Sequence, residues 1–186
     1  MRMRLFIVAA ACGAFAALGC DHKQDYAQDP KAGPYYNFNP VDRDFVRTLG
    51  EANLAEIDVS RVALGKSTDD NVKKFARHMI DDHTQANNAL KEVCDKKGVT
   101  LPAAADDDHR KDLVRMADLK GVDFDRSYAA VMVSDHKKAV DLFENLLKNG
   151  KDPDVRTYAE KTLPTIRKHL TMAEELNWKV TNSAPN

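Results

Sequence analysis

Two stretches of the chain place the same chemistry at the same offset. "FARHMIDDHTQA" (residues 75–86) returns fifty-three positions later as "YAAVMVSDHKKA" (residues 128–139), with five of twelve positions identical. The shared pair is Asp-His: Asp82-His83, then Asp135-His136. A neutral imidazole can hydrogen-bond, relay a proton or hold a transition metal, and its neighbours decide which. Stepping by four and three along the surrounding apolar pattern keeps to one face of a helix. One such stripe runs Val72, Ala76, Met79, His83, Ala86, Leu90, and another Ala129, Met132, His136, Ala139, Phe143. A third passes through Ala159, Thr162, Ile166, His169 and Ala173, and a fourth through Leu49, Ala52, Glu56 and Val59. Each apolar stripe therefore carries one ionisable residue: His83, His136, His169 or Glu56.

Three outcomes are open to those four residues. They can form a hydrogen-bonded polar layer that fixes the register of the helices, because buried polar groups are tolerable when they satisfy one another. They can bind a single transition metal, since three neutral imidazoles and a carboxylate suit zinc, copper or iron. Or they can face different interfaces and never meet.

Oxygen-activating di-iron chemistry is disfavoured by spacing. That site needs Glu-x-x-His on two helices, whereas Ile80, Val133 and Ile166 stand three residues before His83, His136 and His169. Asp82 and Asp135 lie about 100° round the helix from their own histidines, free to reach a neighbouring helix or solvent. His78 and His109 sit among charged residues and are expected at the surface. "DDD" (residues 106–108) suits a helix N-cap, because the glycine and terminal glutamate of a calcium loop are missing. No glycine-rich phosphate loop and no G-x-S-x-G elbow occur. No catalytic constellation is apparent, which favours a non-enzymatic role.

Four long helical segments must position these groups: about 42–66, 69–97, 123–149 and 153–180. Asp42 is a plausible cap for the first, "STDDNV" for the second, and Pro153 suits the first turn of the last. Pro164 frees the carbonyl of Glu160 and should bend the last helix before His169. Short links make the first and second segments, and the third and fourth, antiparallel hairpins. The 24 residues "VTLPAAADDDHRKDLVRMADLKGV" between the hairpins can travel the length of a bundle and carry a short helix over 106–119. The expected fold is all-α: a ferritin-like four-helix bundle of two antiparallel hairpins joined by a long crossover with a short extra helix. At 1.5 Å per residue, that arrangement puts Glu56, His83, His136 and His169 within about 6 Å of one another along the axis.

The rest of the chain speaks to location. "MRMR" followed by "LFIVAAACGAFAALG" reads as a signal segment over residues 1–19, too short for a confident membrane span. Gly19-Cys20 resembles a bacterial lipobox, which makes Cys20 a candidate lipidation site; ordinary cleavage after Ala16 is the alternative. Residues 20–41 read as a tether, 42–180 as the bundle and 181–186 as a disordered tail. Tyr35, Tyr36 and Phe38 could also fold back onto the bundle. Losing Arg2 and Arg4 lowers the net charge from −1 to −3, and no basic run suggests nucleic acid as a partner. With Cys20 acylated, Cys94 is alone and reads as a small core residue.

Three blocks carry a family resemblance: "VKKFARHMIDDHTQANNAL", "FDRSYAAVMVSDHKKAVDLFE" and "YAEKTLPTIRKHLTMAEEL". They resemble the signature blocks of the exported bacterial family known as domain of unknown function 4142, over roughly residues 40–178. The resemblance implies a ferritin-like bundle behind a signal peptide and no established activity. Its blocks contain His83, His136 and His169, while Glu56 rests on the heptad count alone. The resulting expectation is an exported bundle, lipid-anchored on the periplasmic side of a bacterial membrane. Asp21 favours inner-membrane retention where enterobacterial sorting applies. The bundle would be a binding or structural module with an envelope protein or a second copy as partner. The alternative is a metal-binding or metal-dependent redox protein using the histidine layer.

Overall fold

The computed structural model describes residues 37–182. The signal segment, Cys20, most of the expected tether and residues 183–186 lie outside them. Five helices follow in order: α1 (Pro40–Lys66), α2 (Asp70–Asp95), α3 (Asp107–Ala117), α4 (Gly121–Asn149) and α5 (Pro153–Asn182). No helix among the described residues is long and apolar enough to cross a membrane.

The start of α1 differs from the expected one. Asn39, not Asp42, is the N-cap: its side-chain oxygen accepts from the amides of Val41 and Asp42, with Pro40 opening the helix. Pro loses nothing there, because the first amides of a helix have no internal partner. Asp42 instead lies buried in the first turn and accepts hydrogen bonds from the amides of Lys151 (3.0 Å) and Asp152 (2.9 Å). It ties the α4–α5 link to the base of α1. That link is close-packed, since a Cβ on Gly150 would stand 2.6 Å from Asp42 Oδ1 and 2.7 Å from the carbonyl of Leu146. Phe38, in the expected tether but among the aromatics that could fold back, takes that alternative and is buried in the core. At the other end α5 runs two residues past the expected boundary, to Asn182, and continues through Pro164.

Asp69 caps α2 and Asp106 caps α3, each accepting two backbone amides. Gly98, at φ +66°, reverses the chain just after α2, a conformation that favours glycine.

Helix direction is settled by side-chain contacts. Phe45 of α1 meets Phe143 of α4 edge to face (ring centroids 5.0 Å apart), and Ser60 meets Tyr128 at 2.9 Å. Helices α1 and α4 therefore run antiparallel. Tyr158 of α5 donates to the carbonyl of Ala86 in α2, and His169 reaches Asp82, so α2 and α5 are antiparallel too. Since α1–α2 and α4–α5 are hairpins, α2 and α4 are parallel. That is the ferritin-like four-helix bundle, with α3 on the crossover.

The core comes in two apolar blocks. One gathers Phe45, Leu49, Leu90, Phe143, Leu146, Val155 and Ile166. The other gathers Val72, Phe75, Met79, Phe124, Tyr128, Met132 and Leu176. Burying each large side chain stabilises the fold by about 1.5–3 kcal/mol. Between the blocks the core turns polar: Asn53, Glu56, His83, His136 and His169 are all buried. A polar belt in the middle of a bundle is costly unless something satisfies it.

Candidate metal centre

Three long helices each send one imidazole into that belt. His83 from α2, His136 from α4 and His169 from α5 are 4 %, 1 % and 1 % exposed. Their ring centroids form a nearly equilateral triangle with sides of 5.5, 5.4 and 5.4 Å. One ring nitrogen from each lies within 4.8 Å of the others.

The outer nitrogen of every ring has an oxygen partner. His83 Nδ1 stands 3.0 Å from Asn53 Oδ1, His136 Nδ1 2.9 Å from the carbonyl of Met132, and His169 Nε2 2.9 Å from Asp82 Oδ2. An amide oxygen, a carbonyl and an ionised carboxylate can only accept. Each of those three nitrogens therefore carries the ring proton, and the opposite nitrogen of each neutral ring carries a lone pair. Those opposite atoms, His83 Nε2, His136 Nε2 and His169 Nδ1, are buried and have no hydrogen-bond partner. Fixing a tautomer through a hydrogen bond on the far nitrogen is how proteins orient a metal-binding histidine.

Protonation follows from burial. Desolvation holds His83 well below the usual imidazole range, with the neighbouring histidines acting the same way. Desolvation also brings His136 down to about 4, opposed by its bond to Met132. His169 is lowered by burial as well, against the pull of Asp82. All three are neutral at neutral pH, the form that ligates metal.

Glu56 is not part of this group. Its Oε1 lies 3.6 Å from His136 Nδ1, the nitrogen turned toward Met132, and its Oε2 has no partner. Desolvation, reinforced by Asp135, holds its carboxyl well above the usual range. It is a buried carboxyl behind His136. The structure brings His83, His136 and His169 together and leaves Glu56 outside them.

Two other residues change position relative to expectation. His78 is not simply a surface residue: it is half-buried on α2, its ring edge-on to His169 with centroids 5.4 Å apart. His109 is half-buried too, its Nδ1 2.6 Å from Asp106. Asp82 takes the neighbouring-helix alternative, reaching His169 on α5. Asn53, the partner of His83, has no counterpart among the expected site residues; its one sequence signal is a polar side chain three positions before Glu56 on α1. Cys94 is buried in the first apolar block, and burial pushes its thiol up to about 11, so it stays a protonated core residue.

Chemically the centre is a buried, neutral, three-nitrogen donor set. Metal–imidazole bonds of about 2.0–2.1 Å require ligand nitrogens roughly 3.3–3.6 Å apart, so small ring movements close the triangle on an ion. The orphaned lone pairs, locked tautomers and absence of charge all fit a transition metal that accepts nitrogen donors.

Fold and site together define a ferritin-like helical bundle with a histidine-lined centre. The chain belongs to the DUF4142 family, a domain of unknown function, whose profile matches residues 27–176. A DUF305 fragment from Deinococcus radiodurans has the same fold, with TM-score 0.67 at 15% identity, covering 76% of this chain and 98% of that one. CopM in its Cu(I)-bound form matches with TM-score 0.61 at 22% identity, covering 77% of this chain and 98% of that one. Its Ag-bound form matches with TM-score 0.60 at 21% identity, covering 77% and 97%. These likenesses establish the fold. No curated protein matches the chain significantly in sequence.

Proposed function

We propose that this protein is a metal-binding bundle of the bacterial envelope that holds one soft transition-metal ion, copper(I) first, at His83, His136 and His169. One observation carries the reading: on three rings packed with centroids 5.4–5.5 Å apart, one buried lone-pair nitrogen each is unpartnered while the far nitrogen is bonded to an acceptor-only oxygen. A layer evolved only for hydrogen bonding would satisfy those nitrogens mutually. Here they stay unsatisfied, and a cation satisfies all three at once.

The choice of ion has two supports. Met79 and Met132 are fully buried four residues before His83 and His136, and Met172 lies three after His169 on the antiparallel helix. All three thioethers are thus displaced toward the same end of the bundle, about one turn from the triad, and soft ligands favour copper(I). The second support is by likeness: CopM, of the same fold, is known in Cu(I)-, Cu(II)- and Ag-bound forms.

The proposed location is the periplasmic side of a membrane, reached through the signal segment and held by lipid at Cys20. A likeness to a Streptomyces coelicolor DUF305 protein described as a candidate secreted protein agrees with export. The test is an anaerobic copper(I) competition titration of residues 21–186. One equivalent should bind, and the His83→Ala/His136→Ala variant should bind none at the same chelator concentration. A wild-type chain that leaves all copper on the chelator would end this reading.

A further inference from the structure

We propose that His78, Asp82 and His169 form a second, outer metal station from which the central triad is loaded. The inference rests on the triad reading above. His78 and Asp82 are one turn apart on α2, with His78 Nε2 3.5 Å from Asp82 Oδ2, and Asp82 Oδ2 is 2.9 Å from His169 Nε2. Donor atoms of the three residues lie within 4.8 Å of one another. His78 Nε2 is itself buried and without a hydrogen-bond partner, the same signature that marks the central nitrogens.

The three side chains grade from solvent to core: His78 is 33 % exposed, Asp82 27 % and His169 1 %. His78 also lines a groove of about 550 Å³ between α2 and α5. Its lining includes Lys74, Arg77, Lys168 and Lys179 against Asp81 and Glu175. That balance does not attract a bare cation, so the station suits an ion that arrives on an anionic ligand and leaves that ligand behind in the groove.

His169 belongs to both stations, and its ring makes them alternatives. In the triad it offers Nδ1 while Nε2–H donates to Asp82. In the outer station it offers Nε2, so the ring proton must sit on Nδ1. A neutral imidazole holds an ion on one side only. Inward transfer breaks the bonds to His78, Asp82 and His169 Nε2 and forms bonds to His83 Nε2, His136 Nε2 and His169 Nδ1. The proton of His169 moves from Nδ1 to Nε2, where Asp82 accepts its hydrogen bond, and the ion keeps its charge. The chain therefore carries one ion at a time.

The experiment is stopped-flow transfer of copper(I) from its anionic bicinchoninate complex to residues 21–186, beside equilibrium stoichiometry. His78→Ala should still take up one equivalent at equilibrium but load at least about tenfold more slowly, the lower end of the roughly 10–100-fold that losing a supporting group costs at a metal site. His78→Gln should load slowly as well, and His109→Ala, on another face, at the wild-type rate. His78→Ala loading as fast as wild type would overturn the outer station and leave the triad standing. Two ions bound at once would overturn the one-ion exchange. No uptake by the wild type would remove the triad and the station together.

Discussion

Acid should weaken the metal-free bundle well before its surface carboxylates titrate, and His136 sets the size of the effect. Unfolded, this imidazole titrates near its ordinary value of 6.5; burial lowers it to about 4 in the fold. The unfolded chain then binds more protons through that whole window, so stability is full above about 6.5 and falls as pH drops toward 4. At about 1.4 kcal/mol per unit, moving from pH 7 to pH 5 removes about 2 kcal/mol through His136 alone. His83 and His169, also lowered, act in the same direction. Glu56 and Asp125, both raised, act in the opposite one, because the folded state holds their protons more tightly and regains stability as pH falls. Asp106 and Asp154 are lowered, so they lose their contribution only below the usual carboxylate value of 3.8, outside this window. A Glu56→Gln background removes the larger opposing group. Urea unfolding of that variant, followed by far-ultraviolet circular dichroism with chelator present, should show a clearly lower stability at pH 5 than at pH 7. Equal midpoints at the two pH values would mean that His136 titrates as if in water, and the buried triad would be wrong.

Other substitutions test the frame around the centre. Gly150→Ala drives a methyl group against Asp42 and the Leu146 carbonyl and should cost about 1–3 kcal/mol, read as a lower urea midpoint. Tyr128→Phe leaves the fully buried Ser60 hydroxyl without its 2.9 Å partner and should cost about 1–3 kcal/mol. Adding Ser60→Ala should cost less than the two single changes summed. Asn53→Leu removes the acceptor from His83 Nδ1, freeing that ring to turn; copper(I) affinity should fall about 10–100-fold in a competition titration.

Most of the fold is legible in the chain because helix faces, short links and one long crossover leave few arrangements open. The boundary at α1 is ambiguous in the sequence because two residues satisfy capping rules, Asn39 and Asp42, and only the tertiary contact to Lys151 and Asp152 shows what Asp42 does instead. Phe38 precedes any periodic pattern, so its burial has no local signature. The three histidines stand out because each interrupts an apolar stripe at a position that must face inward. Stripe membership fixes a face, however, and not the direction in which a side chain leaves it. Glu56 shares the stripe logic yet ends behind His136. Asn53 sits one position from the counted Ala52 and still reaches the core. Asp82 and His78 lie off the stripe, on the flank of α2 that α5 covers, and charged neighbours such as Arg77 and Asp81 disguise His78 as a surface residue.

The most direct test of the account is X-ray absorption at the copper edge on residues 21–186 loaded anaerobically with one equivalent of copper(I). Three imidazole nitrogens at about 2 Å, lost in the His83→Ala/His136→Ala variant, is the predicted result. A shell dominated by sulfur, or an unchanged spectrum in the variant, would place the ion elsewhere and return the histidines to the role of core hydrogen-bonders.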